Sequence, residues 1–212
     1  MTTTLGTSDG IGLEARWDLP DGGATGTVVL CHPHPLMGGS MQVPLISTVG
    51  QTLAEHGLAV LRFNFRGVGR SEGRWSGGGA EIEDVAAAVA AAADAYPGIP
   101  SGLAGWSFGA QTALRWQART GDRRRYAGIA PPIVLTGAAA LPSPEALAPA
   151  DRLFVIGDRD QLTPVDDLRT YARNTGARLE VLPGSDHFFH FREARVARLL
   201  VGHFSPAESD AK

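Results

Sequence analysis

The sequence predicts an α/β fold: a mostly parallel central sheet with helices on both faces. Two observations predict it. Short apolar, β-branched runs alternate with longer runs whose apolar residues recur at helical spacing, almost from end to end. The helical runs mostly stop at a glycine or a Pro-Gly pair, which divides the chain into strand–helix units.

The elements follow in order. Residues 11–17 (IGLEARW) are expected as an antiparallel leader strand, ended by Pro20-Asp21-Gly22-Gly23. Residues 27–31 (TVVLC) form a continuous apolar run, hence a buried strand. Residues 43–56 carry Ile46, Val49 and Leu53 at helical spacing and stop at Gly57; residues 58–65 (LAVLRFNF) are the next strand. Residues 81–96 place Ile82, Val85, Val89 and Tyr96 on one helix face and stop at Pro97-Gly98. A short strand at 102–106 then leads into a helix at 108–120, stopped by Gly121. Strands are expected at 126–131 and 153–156. Thr163-Pro164 starts a helix, with Thr163 as N-cap and Pro164 in its first position, ending at Gly176. The last strand is 178–182 and the last helix 191–201. All of this fits a single domain over residues 1–205, with 206–212 a frayed tail.

Composition narrows the function. The chain has 212 residues, 43% hydrophobic and 19% charged, enough to bury a large core without disulfides or structural metal. A net charge of −3 provides no basic field, so neither nucleic acid nor anionic lipid is an expected partner. The basic residues other than Lys212 are scattered arginines, a compositional bias rather than a phosphate site. The single cysteine, Cys31, allows no intrachain disulfide and suits a reducing compartment. The first ten residues, MTTTLGTSDG, lack the basic and apolar regions of a secretory signal, and no apolar run is long enough to span a bilayer. A cytoplasmic location is therefore expected.

The chemistry of such a sheet sits in loops beyond the carboxyl ends of its strands. Gly105-Trp106-Ser107-Phe108-Gly109 is a G-x-S-x-G run between a strand and a helix. At such an elbow the residues two positions either way must be small, the serine is lifted from the sheet, and the helix N-terminus lies beneath developing negative charge. Serine needs a base to take its proton, and the base needs an orienting carboxylate. Two later strand-end loops supply them in the order serine, acid, histidine: GDRDQLTP (157–164) and PGSDHFFH (183–190). Asp160, deep in its loop, is favoured as the acid over Asp158, which suits a turn. Among the six histidines, His187 follows the strand-end turn directly and is favoured as base, with His190 its rival. His56 and His203 suit structural roles, and Asp186 suits its own turn.

The loop CHPHPLMGGS (31–40) is where such folds supply one oxyanion amide. Pro33 and Pro35 carry no N–H, so Leu36 is the expected donor, with Met37 second and Phe108 providing the other amide. His32 and His34 form an H-x-H pair, but three or more ligands are needed for a hydrolytic metal and no longer metal motif accompanies them. Structural hydrogen bonding is expected of both, with no metal and no cofactor. The loop RFNFRGVGRSEG (62–73) lacks the phosphate-cradle patterns and is expected to be a tight turn beside the site.

Together the blocks HPHPLMGGSM, RFNFRGVGRSEG, GWSFGA, GDRDQLTP and GSDHFFH resemble the α/β-hydrolases, and among them the small lidless bacterial serine hydrolases and esterases. The resemblance spans residues 32–190. It implies Ser107 as nucleophile, Asp160 as acid and His187 as base, and broad activity on small esters. Only about twenty residues separate 131 from 153, where this fold inserts a lid. An open site acting on small acyl substrates is therefore expected, in a monomer or homodimer. The alternatives are a thioesterase or amidase with the same triad, and a non-catalytic binding protein on a hydrolase scaffold.

Overall fold

A computed structural model describes residues 2–133 and 140–205. Its sheet has eight strands in the order β1-β2-β4-β3-β5-β6-β7-β8. These are β1 Thr2–Gly6, β2 Gly12–Asp18, β3 Gly26–Cys31, β4 Leu58–Phe63, β5 Ser101–Trp106, β6 Arg125–Ile129, β7 Arg152–Gly157 and β8 Arg178–Leu182. From β4 to β8 all pairings are parallel, while β1 and β2 join antiparallel at one edge.

The period-2 alternation of the central strands divides the apolar residues between two cores. On β3, Val29 and Cys31 face one core, where α2 Glu81–Ala95, α3 Phe108–Thr120 and α4 Val165–Thr175 pack. Val28 and Leu30 face the other, beneath α1 Pro44–Glu55 and α5 Glu193–Phe204. Ile46, Val49 and Leu53 of α1 are fully buried there, each contributing about 1.5–3 kcal/mol of transfer free energy.

Three local differences from expectation have physical causes. The first is β1, which sequence reading missed. Its three threonines suit a strand, and the Thr7–Ile11 turn closes it onto β2: Thr7 Oγ1 donates to Asp9 and accepts the Ile11 N–H. The second is the start of α4. Thr163 does not cap it; the helix begins after Pro164, and the Thr163 hydroxyl donates to the Pro131 carbonyl instead (3.3 Å). The third is the start of α5. Phe189 and Phe191 hold φ of 55° and 60°, a left-handed backbone that no helix continues through, so α5 begins at Glu193. The expected frayed tail, 206–212, lies outside the described residues, as does part of the connection where a lid would be inserted.

Candidate active site

The nucleophile elbow is built by close backbone approach. A Cβ at Gly105 would lie 2.5 Å from the Gly109 carbonyl carbon, and one at Gly109 would strike the His32 carbonyl oxygen. Only glycine at both positions lets β5, α3 and the end of β3 meet. Ser107 is held between them at φ 52°, ψ −120°, with its N–H donated to the Ile129 carbonyl (2.8 Å). Such a backbone costs about 1–3 kcal/mol and persists because its surroundings fix it.

The three loops converge on this serine. Ser107 Oγ lies 3.0 Å from His187 Nε2, and His187 Nδ1 lies 2.8 Å from Asp160 Oδ2. The other Asp160 oxygen accepts the N–H groups of Leu162 and Thr163, both at 2.8 Å. Each carboxylate oxygen thus has its own partners, which fix the acid in rotation. Asp158 is exposed and accepts the Gly184 N–H (2.7 Å), which ties the acid loop to the histidine loop. A side chain at Gly157 would strike the Ser185 carbonyl, so these two loops also touch backbone to backbone. His190 is exposed and stacks on Phe188; Asp186 accepts the N–H groups of Phe188 and Phe189. His56 caps α1 by donating to the Thr52 carbonyl (2.8 Å), and His203 donates its Nε2–H to the Tyr126 carbonyl (3.0 Å), both away from the serine.

The oxyanion loop departs from expectation. Pro35–Met37 winds into one 3-10 turn with His34 as its cap. The Leu36 N–H is thereby donated to His34 Nδ1 (3.2 Å) and the Met37 N–H to the His34 carbonyl (3.0 Å). Both expected donors are committed to their own turn. Among the described residues the His34 N–H has no hydrogen-bond partner, and His34 lines the same cleft as Ser107. In the sequence the H-x-H pair draws attention to the His34 ring rather than to its amide.

His32 is a structural pin. Its Nδ1–H donates to the Pro33 carbonyl (2.6 Å) and its Nε2 accepts the Phe65 N–H (3.0 Å), so the ring is neutral and offers no lone pair to an ion. Burial pushes it down from the ordinary imidazole value of 6.5 to about 4, against a smaller upward pull from the Pro33 carbonyl. The unfolded chain therefore binds a proton between pH 6.5 and 4 that the folded chain refuses. Stability is complete above about pH 6.5 and falls with pH across that window, by about 3 kcal/mol from this group. Urea unfolding at pH 7, 5 and 4 should show this loss, and His32→Gln should be weaker at pH 7 but flatter in acid. Equal acid slopes for the two proteins would sink the assignment.

At the end of β4 and in the glycine loop after it, Arg62 and Arg66 are buried. Arg66 pairs with Asp84 and Asp9, Arg62 with Asp18, and Asn64 bridges Met41 N–H and Glu14. These two guanidinium groups pair with the protein's own carboxylates.

Above Ser107 lies a cleft of about 390 Å³. Its walls are mainly apolar, with Met37, Val43, Leu45, Trp106, Leu162 and Phe188 among them. Trp106 also donates its indole N–H to the His187 carbonyl (3.2 Å), a positioning contact that sequence reading missed.

Residues 22–153 match the family model described as serine aminopeptidase, S33. The chain belongs to this family. It is an α/β-hydrolase, and the solved structures agree. An α/β serine hydrolase homologue from Coxiella burnetii is 31% identical, with 97% of each chain covered and a TM-score of 0.84. A lidless α/β serine hydrolase from Xanthomonas campestris is 28% identical over 99% of this chain and 96% of its own, with a TM-score of 0.83. An uncharacterised protein of Rickettsia prowazekii is 27% identical over 190 residues, 86% of this chain and 79% of that one. The hydrolase thus has the mostly parallel sheet, with helices on both faces, that its sequence implied. Among its described residues no helix is long and apolar enough to cross a membrane.

Proposed function

We propose that this serine hydrolase cleaves small carboxylic esters through Ser107, His187 and Asp160, by way of an acyl-enzyme. The observation that carries the reading is the unbroken contact from Asp160 Oδ2 through His187 to Ser107 Oγ, 2.8 and 3.0 Å, at the floor of an apolar cleft. His187 Nε2 takes the hydroxyl proton as Oγ attacks the acyl carbon. Asp160 holds the Nδ1–H tautomer and stabilises the imidazolium. The developing oxyanion is met by the Phe108 N–H at the start of α3 and by the His34 N–H, which replaces Leu36 in this role. Each such donor is worth about 3–4 kcal/mol in the transition state. His187 then protonates the leaving alcohol, and water repeats the sequence to free the acid.

The cleft volume favours short acyl groups. A series of p-nitrophenyl esters from acetate to palmitate tests this: kcat/KM is expected to peak at short chains and fall for long ones. A steep rise toward palmitate would overturn it. A second reading, amide cleavage, is favoured by the description of the matched family as aminopeptidases. Matched ester, thioester and amide substrates separate the two, with ester turnover expected to dominate.

A further inference from the structure

The cleft over Ser107 contains one feature that ester hydrolysis alone does not use. Glu193 is its only carboxylate among the described lining residues, most of which are apolar. It is half-buried, and among the described residues it has no hydrogen-bond or ion-pair partner. Its neighbours in sequence, Arg192 and Arg195, are exposed and do not neutralise it. A carboxylate at the first position of a helix is commonplace on dipole grounds. Those grounds do not require it to line the apolar cleft that holds the nucleophile. There it is partly stripped of water and no described group donates to it; a ligand that carries its own positive charge would complement it.

We propose that Glu193 makes this cleft select small esters bearing an ammonium group over their neutral isosteres. The inference rests on the reading of Ser107 as nucleophile. Glu193 is a binding residue in this scheme, so the discrimination falls in KM, with kcat little affected. A half-exposed charge pair supports a preference of about fivefold in kcat/KM, and the preference weakens as salt screens it.

Two isosteric pairs test this on the intact protein. One is butyrylcholine against 3,3-dimethylbutyl butyrate, charged on the alcohol side. The other is the p-nitrophenyl ester of 4-(trimethylammonio)butanoate against that of 5,5-dimethylhexanoate, charged on the acyl side. The expected result is a cationic preference in at least one pair, carried by KM, reduced at high salt, brought to about one in Glu193→Gln and inverted in Glu193→Lys. Efficient hydrolysis of the neutral esters with no cationic preference, or a preference untouched by either substitution, overturns the proposal while leaving the nucleophile in place. Failure of all four esters, with no fluorophosphonate adduct on Ser107, overturns both.

Discussion

Alanine at Ser107 is expected to lower ester turnover by about 10⁵–10⁶-fold while leaving the fold intact. The hydroxyl is the only atom removed, and the strained backbone at φ 52° is set by Gly105, Gly109 and the Ile129 carbonyl rather than by the side chain. Thermal unfolding should therefore shift by no more than a few degrees. A fluorophosphonate probe should label the wild type on the peptide containing Ser107 and leave the variant unlabelled. His187→Ala should lose labelling as well, since the hydroxyl then has no base. Asp160→Asn keeps the geometry but favours the wrong imidazole tautomer, for a loss of about 10⁴-fold. Because the three act as a unit, combining these changes should cost little more than Ser107→Ala alone. A Ser107→Ala protein that retains a few per cent of wild-type turnover, or an adduct on another residue, would sink the assignment.

The meeting of Ser107, His187 and Asp160 was legible because each sits at the end of an apolar strand run, and strand ends in a parallel sheet converge. The order of the three loops then left only local choices, Asp158 or Asp160 and His187 or His190. Depth in the loop favours Asp160, and direct succession to the strand-end turn favours His187; sequence spacing encodes both. The oxyanion loop was not legible in the same way. Proline excludes Pro33 and Pro35 as donors, but nothing in PHPLM announces that His34 caps the following turn and draws in the amides of Leu36 and Met37. Hydrogen bonds between side chain and nearby backbone compete closely with one another, and only the folded loop decides which wins. The edge strand β1 was missed for a different reason. Its threonines and TSDG turn are ordinary strand and turn residues, but a mostly polar five-residue run carries no apolar pattern that would announce pairing with β2. The offset start of α5 depends on two phenylalanines in left-handed backbone, a conformation that propensity argues against.

The loop after β4 supports the largest expected effect on stability. Asp84 is fully buried, and its carboxylate accepts the Arg66 backbone N–H (2.9 Å) and side-chain donors at 2.9 and 2.6 Å. Asp84→Ala leaves the buried Arg66 guanidinium with only Asp9, whose side chain is 42% exposed and less able to compensate it. Breaking such a pair from one side costs about 3–5 kcal/mol, a large share of the 5–15 kcal/mol that holds a typical domain together. The damage should not stay local. Arg66 follows Phe65, whose N–H pins His32 and whose ring packs edge-on against Phe108, next to the nucleophile. Ester turnover at 25 °C should therefore fall together with the urea midpoint. Replacing both partners, Asp84→Leu with Arg66→Met, removes the uncompensated charge and should recover much of the lost stability, since a buried pair exchanged for apolar residues of similar size is often neutral. Urea unfolding of the two single variants and the double variant measures the coupling. A double variant that is as unstable as the sum of the singles would show that Asp84 acts through its hydrogen bond to the Arg66 backbone and not through the ion pair.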